Sequence, residues 1–216
     1  MLKITAPRLI KGLHENPDLI DLFSKREEEL IESSFKGQFL EDIKQPNLSV
    51  NGCLFNNCNF TNCDFRKSQF SDVVFKNCDL SNINLSGCGF YRAEFIECKL
   101  TGTNFAESIF NHTTFQECRA QYVVFSLNKL RGVLFSKCDL RGGGLDNCQF
   151  TNVEFEHCDL RESEFHHTPL KGIGLTTSEI SGLRITALPG SELRGATVTS
   201  FQALEIARML GLIIDD

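Results

Sequence analysis

The chain lacks tryptophan and has only 2 tyrosines and 2 methionines, against 19 phenylalanines in 216 residues. Its apolar content of 41% still allows a core, built largely from Phe and aliphatic side chains. An excess of basic residues is also missing. Lys and Arg total 22 against 28 Asp and Glu, a net charge of -6. A general nucleic-acid binder carries a basic face, so this balance argues against that class and leaves room for a partner with a basic surface. No apolar run approaches the roughly 20 residues of a membrane span. Residues 1–7 hold no long apolar stretch ahead of a small-residue cleavage site. The composition therefore predicts a soluble, cytoplasmic protein, without membrane association or direct nucleic-acid binding.

What is present is a strict five-residue period. From Val50 to Ile185 every fifth residue is apolar, over 28 consecutive positions, and 15 of the Phe residues fall on this phase. Five matches neither a helix at 3.6 nor a strand at 2.0, so the pattern announces a repeat architecture. Two residues before the apolar centre the side chain is small in most units: Cys, Ser, Thr, Val or Ala. Two residues after it, Gly, Asn or Asp stands in about half the units, as at Asn57, Asn62, Asp72 and Gly102. These types tolerate the left-handed backbone of a tight corner. A longer period of 20 is superimposed: Phe55, Phe75, Phe95, Phe115, Phe135 and Phe155 form one series, continued by Leu175. Four five-residue units per coil make a four-sided coil with like residues stacked on like. Seven coils spaced roughly 4.8 Å apart make a rod of roughly 34 Å. The stacked rings leave no interior cavity for a ligand.

All ten cysteines sit two residues before a centre: Cys53, Cys58, Cys63, Cys78, Cys88, Cys98, Cys118, Cys138, Cys148 and Cys158. A straight column cannot supply the tetrahedron of a zinc site. Disulfides need an oxidising compartment, and reactive thiols need exposure and a basic neighbour. The spacing predicts small buried hydrophobes instead. His157, His166 and His167 form the only His cluster, two at corners and one outward, and no metal or cofactor site is expected there. No Ser/His/Asp pattern, phosphate loop or paired carboxylates in a cleft can be assembled. A convex rod excludes water poorly, so no enzyme is expected.

The ends differ from the middle. Residues 1–30 are expected to be a helical extension and cap: Pro7 could open a short helix, Asn16-Pro17-Asp18 reads as a helix start, and Leu19, Leu22, Phe23, Leu30 and Ile31 follow at mostly helical spacing. Residues 31–194 are the repeat, with 31–47 a degenerate first coil broken at Gln45 and Pro46. Leu188-Pro189-Gly190-Ser191 ends its regular part. Residues 195–216 are expected to hold a helix capped by Thr199 or Ser200, a stop at Gly211 and a short apolar strand, Leu212-Ile213-Ile214. Ala120, Asn128 and Gly142-Gly143-Gly144 depart from the repeat and predict bends or bulges.

Outward acids gather on the side of the Phe55–Phe155 series: Glu94, Glu97, Glu117, Glu154 and Glu156. Such a strip on a rod of duplex-like width raises the possibility of DNA mimicry. Some 34 Å of B-DNA carries about 20 negative charges. Residues 48–194 hold 16 acids against 14 basic residues, so any mimicry must be local.

The repeat resembles the pentapeptide-repeat proteins, which implies an all-β solenoid, a right-handed quadrilateral β-helix. The tail narrows the resemblance. Leu193-Arg194-Gly195, Phe201-Gln202-Ala203 and Leu210-Gly211-Leu212-Ile213 are similar to the tail of the Qnr quinolone-resistance proteins. That branch implies a cytoplasmic homodimer joined through the tail, here Phe201, Leu204, Leu210 and Leu212. It also implies binding to a type II topoisomerase, DNA gyrase or topoisomerase IV, and protection from quinolones or peptide toxins. The chain has no loop inserted between coils, which the Qnr proteins of Gram-negative bacteria carry, and it adds residues 1–30. A rigid scaffold or regulatory adaptor, with its partner on the N-terminal helices, is the alternative expectation.

Overall fold

A computed structural model of the chain describes residues 2–15, 17–25, 27–186 and 191–215. It is a parallel β-solenoid with four sides to each coil. The N-terminal elements are β1 (His14–Glu15), α1 (Leu19–Ser24), β2 (Glu29–Ile31), β3 (Ser33–Lys36) and β4 (Phe39–Glu41). β5 (Ser49–Asn51), β6 (Leu54–Asn56) and β7 (Asn59–Thr61) follow. Five eight-residue strands then form the main ladder: β8 (Gln69–Lys76), β9 (Gly89–Ile96), β10 (Ile109–Gln116), β11 (Lys129–Ser136) and β12 (Gln149–Glu156). Each pairs in parallel with the strand 20 residues on, as in Phe75↔Phe95, Phe95↔Phe115 and Phe115↔Phe135.

One sheet wraps two adjacent sides of the coil, because each long strand contains two centres with a corner between them. The other two sides are turns joined by single parallel bridges, such as Asp79↔Lys99↔Arg119. The corner lies where the sequence placed it. Every described non-glycine residue with positive φ falls two positions after a centre, from Glu32 to His167. Many of these are not Asn, Asp or Gly. Tyr122 (φ 57) and Leu127 (φ 64) take a conformation that costs an ordinary residue roughly 1–2 kcal/mol. Closure of the coil and its ladder bonds offset that cost.

Inside, the Phe55–Phe155 series stacks with ring centroids 4.8–5.0 Å apart. Phe105 and Phe125 meet it edge-on from the opposite side, Phe125 at 5.6 Å from Phe115. A void of about 20 Å³ beside Phe23, Leu30 and Phe65 has apolar walls and is too small for a ligand.

The ladder begins earlier than the sequence reading placed it. Leu30 is buried and β2 pairs with β5, so Leu30 is a repeat centre and Ile31 is strand, not helix. Phe35 stacks on Phe55 at 4.9 Å and Leu40 is fully buried. Residues 31–47 therefore form a regular coil on three sides. Only the Gln45 side lacks an apolar centre. There Phe23 supplies the ring, its centroid 6.0 Å from Phe65.

The helical extension expected for residues 1–30 reduces to the six residues of α1. Asp18, not Asn16, is its N-cap, accepting from the Ile20 and Asp21 amides; Asn16 lies outside the described residues. The segment before it is an extended strap along a corner of the rod. His14 pairs with Ser33. The Arg8 amide donates to Asp72 Oδ1 at 2.9 Å, and the Thr5 amide to His112 Nδ1 at 3.3 Å. Asp72 and His112 are two coils apart, roughly 10 Å, a distance that three extended residues span. So short a segment cannot hold a helix alone; here its amides find acceptors on the rod.

At the other end, residues 192–197 add a partial layer: Leu170 N–H donates to Glu192 O and Leu175 N–H to Thr197 O. α2 (Ser200–Met209) follows, with Thr199 and Gln202 forming a reciprocal capping box. The strand expected at residues 212–214 does not form; the chain there has no regular secondary structure. Residues 187–190, the expected end of the regular part, lie outside the described residues except for the following Ser191. The glycine run makes no bulge. Gly142 is a corner under the Tyr122 ring, Gly143 is an inner residue, and Gly144 keeps its bridges to Val124 and Glu164. Ala120 and Asn128 likewise hold their places in the coil, Asn128 Oδ1 accepting from Ser108 N–H at 2.6 Å.

Candidate protein-binding surface

The ten cysteines are free and buried. Their thiols donate to carbonyls 23 residues back, as Cys78 Sγ does to Phe55 O at 3.4 Å. Burial pushes the Cys53 thiol up to about 11 and those of Cys88 and Cys148 up to about 12. They pack as small hydrophobes.

The five candidate acids lie on one side of the rod but not in an unbroken row. Glu94 and Glu154 belong to one column, Val74-Glu94-Thr114-Leu134-Glu154, and are three coils or roughly 14 Å apart. Glu97 and Glu117 are 20 residues apart and occupy the same corner on successive coils. Glu117 is bonded to Lys137 at 3.1 Å, which neutralises the next step of that column. Glu156 lies beside Glu154 on β12. Negative charge is thus split into a group at Glu94, Glu97 and Glu117 and a pair at Glu154 and Glu156. Desolvation raises the Glu94 carboxyl above its ordinary value. Along the adjoining corner runs a groove lined by Asn77, Asp79, Glu97, Lys99, Glu117 and Arg119, in which both signs alternate.

The second candidate surface is the tail. Gln202 is buried, and its Nε2 donates to Leu175 O at 2.9 Å and Ser178 O at 2.8 Å. It therefore plugs the end of the rod. The opposite side of α2 faces outward: Phe201 is 66% exposed and Leu204 42%. Leu210 at 49%, Leu212 at 61% and Ile213 at 99% extend the uncovered apolar patch beyond the helix. Large exposed apolar patches are common seats of protein or membrane contacts.

Two arrangements were not foreseen from the sequence. The strap runs beside the acidic side and covers the corner between Asp72 and His112. His166 groups with Asp146 and Glu164 and not with His157 and His167. The signal for the second was present, because Asp146 and His166 are 20 residues apart and must stack. No helix among the described residues is long and apolar enough to cross a membrane.

Two family sequence profiles match: "Pentapeptide repeats (9 copies)" over residues 55–99 and "Pentapeptide repeat region" over residues 88–165. Together they span more than half of the 216-residue chain. No curated protein sequence matches. Among solved structures, a trypsin-treated form of QnrB1, a plasmid-mediated fluoroquinolone resistance protein, superposes with a TM-score of 0.53 at 20% identity, over 85% of this chain and 90% of that one. Full-length QnrB1 gives 0.48 at 22% identity over 83% and 100%. HetL, involved in heterocyst differentiation regulation in the cyanobacterium Nostoc, gives 0.41 at 14% over 85% and 97%. The chain belongs to the pentapeptide-repeat proteins, and its solenoid is Qnr-like.

Proposed function

We propose that this protein is a non-enzymatic, cytoplasmic homodimer that binds a type II topoisomerase, DNA gyrase or topoisomerase IV, and protects it from quinolones or peptide toxins. The observation that carries the reading is the tail. Gln202 seals the solenoid from within α2, while Phe201 and Leu204 on the other side of the same helix stay uncovered. That division suits a helix that caps its own rod and joins a second one. The contact with the enzyme uses the acidic side, where Glu94, Glu97 and Glu117 form one negative group and Glu154 and Glu156 another. Mimicry of DNA is confined to those groups, since Lys137 interrupts the row. The likeness to QnrB1, a fluoroquinolone resistance protein, supports the fold that this reading needs. A gyrase supercoiling assay poisoned with ciprofloxacin tests it. Restored supercoiling on addition of purified protein is expected; no rescue at any ratio of protein to gyrase would sink the proposal. The adaptor alternative finds less support, because the N-terminal strap is laid against the rod and α1 is spent on covering its end.

A further inference from the structure

On the side of the coil centred on Phe125, Leu145 and Phe165, Asp146, Glu164 and His166 each offer one ligand atom within 4.8 Å of the others. The repeat brings them together. His166 lies one coil above Asp146, and its amide donates to Asp146 Oδ1 at 3.0 Å. Glu164 sits on the same coil as His166, bridged to Gly144 beneath it. Gly144 provides the room. A Cβ there would stand 3.5 Å from Asp146 Oδ2 and 3.4 Å from Ser126 Oγ. The missing side chain thus leaves a niche against a carboxylate oxygen, with a hydroxyl across it.

The charges around the niche favour a cation. Two carboxylates, Asp146 and Glu164, meet there beside one imidazole. Arg184 answers part of this charge by bonding Glu164 Oε1 at 2.8 Å. The Asp146 Oδ2 and the His166 imidazole have no hydrogen-bond partner among the described residues. All three side chains are half-buried, so they are held by the coil yet reachable from solvent.

We propose that Asp146, Glu164 and His166, with the space left by Gly144, form a binding site for a divalent transition-metal ion such as Zn²⁺. One imidazole and two carboxylates are a donor set for that class, and three protein ligands leave a position open. The set is too small for Ca²⁺, which takes six to eight oxygens. His166 also lines a groove with Arg184, Met209 and Leu210. A water or a side chain of a docked protein can fill the open coordination position.

Tag-free, full-length protein stripped with EDTA is the material for the test. Titration with Co²⁺ followed by its d–d absorption, and with Zn²⁺ by calorimetry, is expected to show one ion per chain. Asp146→Asn and His166→Gln are each expected to weaken Zn²⁺ binding at least ~10-fold. Gly144→Ala is expected to weaken it by filling the niche, with the fold unchanged by circular dichroism. His157→Gln, at a histidine outside the cluster, is expected to have no effect. Absence of a stoichiometric ion, or binding that survives all three cluster variants, would overturn the proposal. So would loss of binding in His157→Gln equal to that in His166→Gln.

Discussion

The two ends of the solenoid face one physical problem and meet it with opposite chemistry. Each must cover an exposed core layer and the unpaired groups of a terminal coil. At the N-terminal end Phe23 inserts a ring where Gln45 leaves the first coil without an apolar centre. Gln38 ties α1 in place, accepting from the Leu19 amide at 3.1 Å and donating to Pro17 O at 3.0 Å. At the C-terminal end the plug is an amide. Gln202 bonds two carbonyls of the last coil, and little of the apolar surface of α2 is used in doing so. An end closed by a ring is finished within one chain. An end closed by a glutamine leaves its helix free to carry Phe201 and Leu204 outward. That contrast is the ground for proposing a second chain at the C-terminal end.

Breaking each plug should separate the two solutions. Phe23→Ala is expected to cost about 3 kcal/mol, as for a ring removed from a packed site. Gln202→Ala is expected to cost about 2 kcal/mol, because it leaves two buried carbonyls without donors. Coils touch only their neighbours, so each loss should stay local. Amide exchange is expected to quicken around Phe65 in the first variant and around Leu175 in the second. Equal acceleration at both ends in either variant would show that the ends are not independent.

The outer side of α2 should matter to assembly and little to the rod. Phe201→Asp combined with Leu204→Asp is expected to halve the mass seen by light scattering. The melting temperature of the protein at high dilution is expected to stay within a few degrees of wild type. Unchanged mass would remove the tail as the dimer interface. Substitution in the acidic side should be milder still. Glu117→Gln breaks a solvent-exposed pair with Lys137, worth no more than ~0.5 kcal/mol, and is expected to act on topoisomerase binding without moving the melt.

The middle of the molecule was almost wholly legible from sequence, and the ends were not. A strict five-residue phase leaves one architecture, so the centres, the corners and the burial of every cysteine followed from spacing alone. Leu30 shows why the ends resisted. It lies seven residues after Phe23, a helical interval, and also 20 before Val50, the repeat interval; only the ladder decides between them. Residues 2–13 resisted for a different reason. Their conformation is set by acceptors 64 and 107 residues away, at Asp72 and His112, and no local pattern announces these. The acidic side was legible as a collection of residues. Its interruption was legible too, since Lys137 lies 20 residues after Glu117 and must stack on it, but a reading of the outward acids alone leaves out their basic neighbours. In the tail the helix and its Thr199 cap were legible, whereas the role of Gln202 as the plug was not.

The strap offers the finest test of the contrast, because it belongs to the N-terminal segment. Asp72 holds it, accepting from the Arg8 amide at 2.9 Å while Arg92 forks onto both carboxylate oxygens at 2.6 Å. The Arg92 fork keeps the Asp72 carboxyl below its ordinary value. A carboxylate depressed in the folded state adds stability that is complete above the unfolded value near 3.9 and is lost as pH falls toward the folded one. Asp72→Asn is therefore expected to cost about 1 kcal/mol at pH 7. The gap between the variant and wild type is expected to close as the pH is lowered below about 4. Exchange at the Arg8 and Thr5 amides should quicken in the variant, while protection around Gln202 stays as it was. A gap that persists undiminished at pH 2 would mean that Asp72 acts through its shape and not through its charge.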